Sequence, residues 1–211
     1  NPLLQQVGNK SLRWNTDNLH LFEKYLIEVS SWIEKFKESS LEEVIKAFNT
    51  NIPIIHNVFR WWKKYVLKDL IIFREVMVKS AYYPVKDYLW LALNEACLNC
   101  ANIHRNHPTI TFDDNGQRKI DVFSEVSKNL KTIQADLANF NIEEISFSEL
   151  GSIKLGNSTY NLKQQINRPV DFVITSPPYP NRYSYVHQTR PQLYFMEILD
   201  NVKQATEIDL Q

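Results

Sequence analysis

Four consecutive residues, Ser176-Pro177-Pro178-Tyr179, carry the strongest chemical signal in the sequence. Each proline fixes its own φ and disfavours the helical region for the residue before it. Ser176 and Pro177 are therefore expected to be extended or turn-like, with carbonyls freed from any hydrogen-bonded ladder. Freed carbonyls need donors. A substrate amino group would supply them, and Tyr179 offers an aromatic face to the ring that bears it. The apolar run from Val170 to Thr175 reads as a buried β-strand leading into this turn. That placement separates the motif from the Pro-Pro-Tyr ligands of aromatic-grooved domains, which lie in disordered chain.

With its flank Pro180-Asn181-Arg182-Tyr183-Ser184-Tyr185, the tetrad resembles the catalytic motif of DNA methyltransferases that methylate exocyclic base amines. That family writes the motif as Ser, Asn or Asp, then Pro-Pro, then an aromatic; Ser184 stands where one branch has Asp. The resemblance implies methyl transfer from S-adenosylmethionine to a base amine in DNA, as in restriction–modification systems, with Ser176, Pro177, Pro178 and Tyr179 as the catalytic residues. Ser at the first position leans to cytosine N4, with adenine N6 as the alternative. The exocyclic amine is a poor nucleophile because its lone pair is delocalised into the ring. Acceptance of its two hydrogens by Ser176 Oγ and the Pro177 carbonyl orients the nitrogen and needs no covalent intermediate. Tyr179 is the platform for a base taken out of the duplex. Arg182 and Arg190 are candidate phosphate contacts, while Tyr183 and Tyr185 either flank the base or pack in the core.

The same resemblance assigns cofactor contacts to Thr175, to Asn157 in Gly156-Asn157-Ser158, and to Asn1, the start of an Asn-Pro segment. Asn157 is equally readable as a turn residue. Against a complete cofactor site stands the glycine count: the chain has only Gly8, Gly116, Gly151 and Gly156, and no pair spaced as Gly-x-Gly. A cofactor turn of that family needs a backbone without Cβ. The chain is therefore expected to be part of a longer or split protein, its glycine loop carried by an upstream segment or a second polypeptide. A non-catalytic DNA-binding or assembly subunit is the rival reading.

Two other constellations compete. Cys97, Cys100, His104 and His107 recur near one helical face, but a continuous helix would spread them over about 15 Å, too far for one tetrahedral ion. Leu93, Cys97 and Cys100 continue a buried stripe instead, so no metal is assigned. Arg60, Lys63, Lys64 and Lys68, interleaved with Trp61 and Trp62, could track a phosphate backbone; a solvated face beside core tryptophans is favoured.

These residues need elements to place them. Leu19, Phe22, Leu26, Val29, Ile33 and Phe36 form one helical stripe after a Thr16-Asp17 cap. Ser40 with Glu43 reads as a capping box ahead of a short second helix, and Pro53 falls in the break after it. A helical stretch follows from about His56 to Lys79. Pro84 suits the first turn of another, running to about Asn102, and Phe123, Val126, Leu130, Ile133, Leu137 and Phe140 mark one more. Pro108 to Lys119 reads as a loop. Ile153-Lys154-Leu155 alternates like a strand.

The fold class expected is α/β: a partial Rossmann-like methyltransferase sheet with a large helical insertion. It would be a single, partial methyltransferase-like domain over 1–211, with the insertion at about 17–140 and a catalytic α/β segment at about 150–200. Lys plus Arg and Asp plus Glu number 24 each, so a DNA contact must be local, not a whole-chain field. No apolar stretch long enough to span a membrane and no signal peptide are seen, and two cysteines suit a reducing, cytoplasmic setting.

Overall fold

A computed structural model describes residues 1–104, 110–113, 118–139, 151–156, 169–174 and 184–209. Helix α1 spans Pro2–Ser11, α2 His20–Lys35, α3 Leu41–Phe48, α4 Val58–Trp61 and α5 Lys64–Met77. A 3₁₀ turn over Ser80–Val85 leads into α6, Lys86–Asn99. Strands β1, Ile103–His104, and β2, Thr111–Phe112, precede α7, Val122–Asn139, then α8, Tyr185–Phe195, and α9, Gln204–Asp209.

The expectation of an α/β fold with a partial Rossmann-like sheet is overturned. Among the described residues the sheet consists of β1 and β2 alone, paired antiparallel with Ile103 opposite Phe112. Among the described residues the helices of the middle form the body of the structure. A strand is held by its ladder, and neither β-type run has one. Residues 151–156 and 169–174 carry no strand, and Phe172, Val173 and Ile174 are 87%, 83% and 98% exposed. The run read as a buried strand is thus bare.

Helix α5 is the axis of the core. Val66, Leu67, Leu70, Ile71, Ile72, Phe73, Val76 and Met77 are all buried, so its apolar surface runs most of the way round, as expected of a helix enclosed on several sides. Helices α2, α3, α6 and α7 enclose it, and α6 in turn supports α1 and α8. Each large apolar side chain buried here contributes about 1.5–3 kcal/mol.

Local signals explain several boundaries. The Ser40 hydroxyl accepts from Glu43 N at 3.2 Å while Ser40 N donates to the Glu43 carboxylate at 2.7 Å, closing the expected capping box of α3. Asn49 ends that helix in the left-handed region. Helix α2 starts three residues after the expected Asp17 cap, with Asn18 at φ 65° just ahead of it. The stretch expected as one helix from His56 is broken at Trp62, which is extended, fully buried, and donates Nε1 to the Cys97 carbonyl at 2.9 Å. That anchorage outweighs helical continuity. Asn102 N donates to the Trp61 carbonyl at 2.7 Å, so the small β1–β2 arm is moored to the same break.

Candidate functional site

Ser176, Pro177, Pro178 and Tyr179 lie outside the described residues, as do Thr175, Asn157, Arg182 and Tyr183. What the structure describes is the frame on either side of them.

Helix α1 organises that frame. Its first residue flank, Asn1, caps it by accepting from Leu3 N at 3.0 Å and donates Nδ2 to Thr189 Oγ1 on α8, also at 3.0 Å. Further along, Asn9 grips the segment that precedes Asn157: its Nδ2 donates to the Ile153 carbonyl and its Oδ1 accepts from Ile153 N, both at 2.8 Å. Gly8 makes room for this contact, because a Cβ there would run into the Ile153 side chain. The start of the chain, the residues before Asn157 and the helix after the proline motif thus meet on one helix, although up to 188 positions separate the bonded pair Asn1 and Thr189.

The Pro-Asn-Arg-Tyr-Ser-Tyr stretch ends in a helix start. Ser184 is the N-cap of α8, its hydroxyl accepting from His187 N at 3.0 Å. Ser fulfils at that position the capping role that an Asp would also satisfy. Tyr185, in the first turn, is about half exposed and not a core residue. Arg190 lies one face round, half-buried, lining a cavity.

The described residues hold no parallel sheet and no Gly-x-Gly turn, and the Asn1 side chain bonds Leu3, Leu4 and Thr189. Asn1 thus serves as the cap of α1 and as a strut to α8.

The cysteines and the lysines of the basic run have structural uses. Cys97 and Cys100 are buried free thiols continuing the α6 stripe, and burial pushes the Cys100 thiol up to about 12. No metal-holding group of His, Cys, Asp or Glu forms among the described residues, and His107 lies outside them. The basic run is dispersed. Lys68 Nζ donates to the carbonyls of Phe36, Lys37 and Ser39 beyond the end of α2, Lys63 Nζ to the Arg118 carbonyl, and Lys64 pairs with Glu42. Trp61 and Trp62 are buried, as a solvated face beside core tryptophans requires.

Sequence reasoning missed α1 and α8 as the elements that join these segments. The Asn1-Pro2 pair was itself a helix-start signal, with proline at the first helical position. No helix among the described residues is long and apolar enough to cross a membrane. Compared with protein-family models, with curated proteins and with solved structures, the chain matches none.

Proposed function

We propose that this chain presents an extruded base of DNA for methylation on its exocyclic amine, as the base-binding part of an amino-methylating DNA methyltransferase. Cytosine N4 is the target favoured by Ser176, and adenine N6 the alternative. The sequence Thr175 to Tyr185 carries this reading. The convergence of Asn1, the residues before Asn157 and α8 on helix α1 supports it, since methyl transfer needs the segments assigned to the cofactor close to the one that follows the base motif.

In this reading Ser176 Oγ and the Pro177 carbonyl accept the two amino hydrogens, which favours a pyramidal nitrogen with a localised lone pair. Tyr179 stacks on the ring, returning about 1–3 kcal/mol of the few kcal/mol that extrusion costs. S-adenosylmethionine, the donor this chemistry uses, would be held by a glycine turn on another segment or polypeptide, in a reducing cytoplasmic setting. A second reading, a DNA-binding or assembly subunit without catalysis, is favoured by the helical body, whose described residues form no sheet beyond the β1–β2 pair.

Transfer of labelled methyl groups to an oligonucleotide by the complete enzyme separates the two. Tyr179→Ala should lower the rate about 10–100-fold, the loss of one stacking contact, and Pro177→Ala should lower it too, with unchanged thermal melting. Full activity in both variants would eliminate the catalytic reading. DNA binding without transfer in any assembled complex would establish the subunit.

A further inference from the structure

One cavity combines two arginines, two histidines and aromatic walls. It measures about 180 Å³ and lies between α4, the β1–β2 arm and α8. Arg60 and Arg190 line it together with His56 and His187, and no carboxylate does so among the described residues. Its apolar wall includes Trp61 and Phe112, whose rings meet edge to face at 4.7 Å. The Arg60 guanidinium lies over the Phe112 ring, 4.2 Å from its centroid, which restrains a long side chain at the cavity rim. Arg190 is half-buried on α8, so its charge is held at the wall of the cavity and not spread into bulk solvent.

We propose that this cavity binds the phosphate of a nucleotide unit. A phosphate offers several acceptor oxygens that guanidinium groups from two different elements can share, and the planar fork of arginine fits them. The volume lies below the roughly 300–1,000 Å³ of sites for drug-sized ligands. It therefore suits one phosphoryl group with the edge of its sugar or base against Trp61 and Phe112, and not a whole dinucleotide. Net charge is zero over the chain, so attraction for a polyanion has to be concentrated in a site of this kind. The proposal deepens the DNA reading given above, in which Arg190 is a candidate phosphate contact, and its test reads binding and not methyl transfer, so the two can fail separately.

Binding of a short labelled deoxyoligonucleotide, followed by fluorescence anisotropy over a range of salt, tests the site, alongside calorimetric titration with dCMP. Arg190→Gln and Arg60→Gln should each weaken binding about 10-fold and reduce the salt slope by about one, the signature of one lost phosphate contact. Lys131→Gln, on exposed α7 surface, should leave both unchanged. Tighter binding of the oligonucleotide than of dCMP identifies a strand as the source; the reverse order, with the same arginine dependence, identifies a free nucleotide. Should a variant unfold, the wild-type protein still decides: the His56 and His187 ring signals in NMR should move when either probe is added. Unaltered affinity in both arginine variants, or no binding by the wild type, would overturn the site.

Discussion

Arg74 shows what a single residue does in this helical body. It sits buried on α5, with Nη2 donating to Thr50 Oγ1 at 2.9 Å and to the Asn51 carbonyl at 3.1 Å, while Nη1 donates to the Phe195 carbonyl at 3.1 Å. Glu75 and Glu197 lie at 2.9 and 3.1 Å. One side chain therefore ties the chain after α3, α5 and the end of α8 together, using the fork that lysine lacks. Arg74→Met should cost about 3–5 kcal/mol, because the Glu75 carboxylate would keep only the Thr50 hydroxyl and lose its charge partner, and the Asn51 and Phe195 carbonyls would lose a donor. Urea unfolding measures it, and Arg74→Lys should recover only part of the loss. A midpoint equal to that of the wild type would show the network to be dispensable.

Among the elements, α1 decides how the segment before Asn157 is held. Asn9 makes both of its hydrogen bonds to the backbone of Ile153, so Asn9→Ala should release residues 151–156 while leaving the core intact. Limited trypsinolysis at Lys154 should speed up severalfold without a change in thermal melting; an unaltered cleavage rate would mean that other contacts retain the segment. Helices with strong stripes were legible in the sequence: Val126, Leu130 and Leu137 of α7, and Phe22 and Val29 of α2, are buried as their spacing predicts. The Ser40–Glu43 box was legible because its chemistry is local. The break at Trp62 was not, since its cause is a hydrogen bond to Cys97, 35 residues away. Nor was the β1–β2 pairing, whose strands are two residues each and too short to show alternation. The candidate site was readable as a motif and as residue types. Its frame was hidden because Asn1 and Thr189 declare nothing about each other in the sequence.

For the molecule as a whole, stability should carry a pH dependence from Asp69. Burial, with Asp121 adding and Lys68 opposing, pushes its carboxyl up to about 6, against about 3.9 in an unfolded chain. The folded state therefore holds the proton more tightly. Its contribution is fully present below the unfolded value and is lost as pH rises through about 6, amounting to roughly 3 kcal/mol at about 1.4 kcal/mol per unit. Asp121 works in the opposite sense, its carboxyl held low by Ser124, so it helps above the unfolded value and fails in acid. Urea midpoints between pH 4 and 8 should fall for the wild type and flatten for Asp69→Asn, which should be the more stable of the two at pH 8. The α/β expectation failed at this same scale. A β-type run specifies a strand only when neighbours complete its ladder, and Val170 to Ile174 has none among the described residues. Composition and alternation cannot say whether those neighbours exist.

That bare run also governs how copies of the protein behave toward one another. Phe172, Val173 and Ile174 present high β-propensity to solvent, the kind of short segment that seeds cross-β growth between identical chains. Asp171 is the one charge within 170–174, so stacking copies in register would bring like charges together and slow fibre formation. Asp171→Ala, which removes that repulsion, should shorten the lag of fibre formation followed by thioflavin fluorescence.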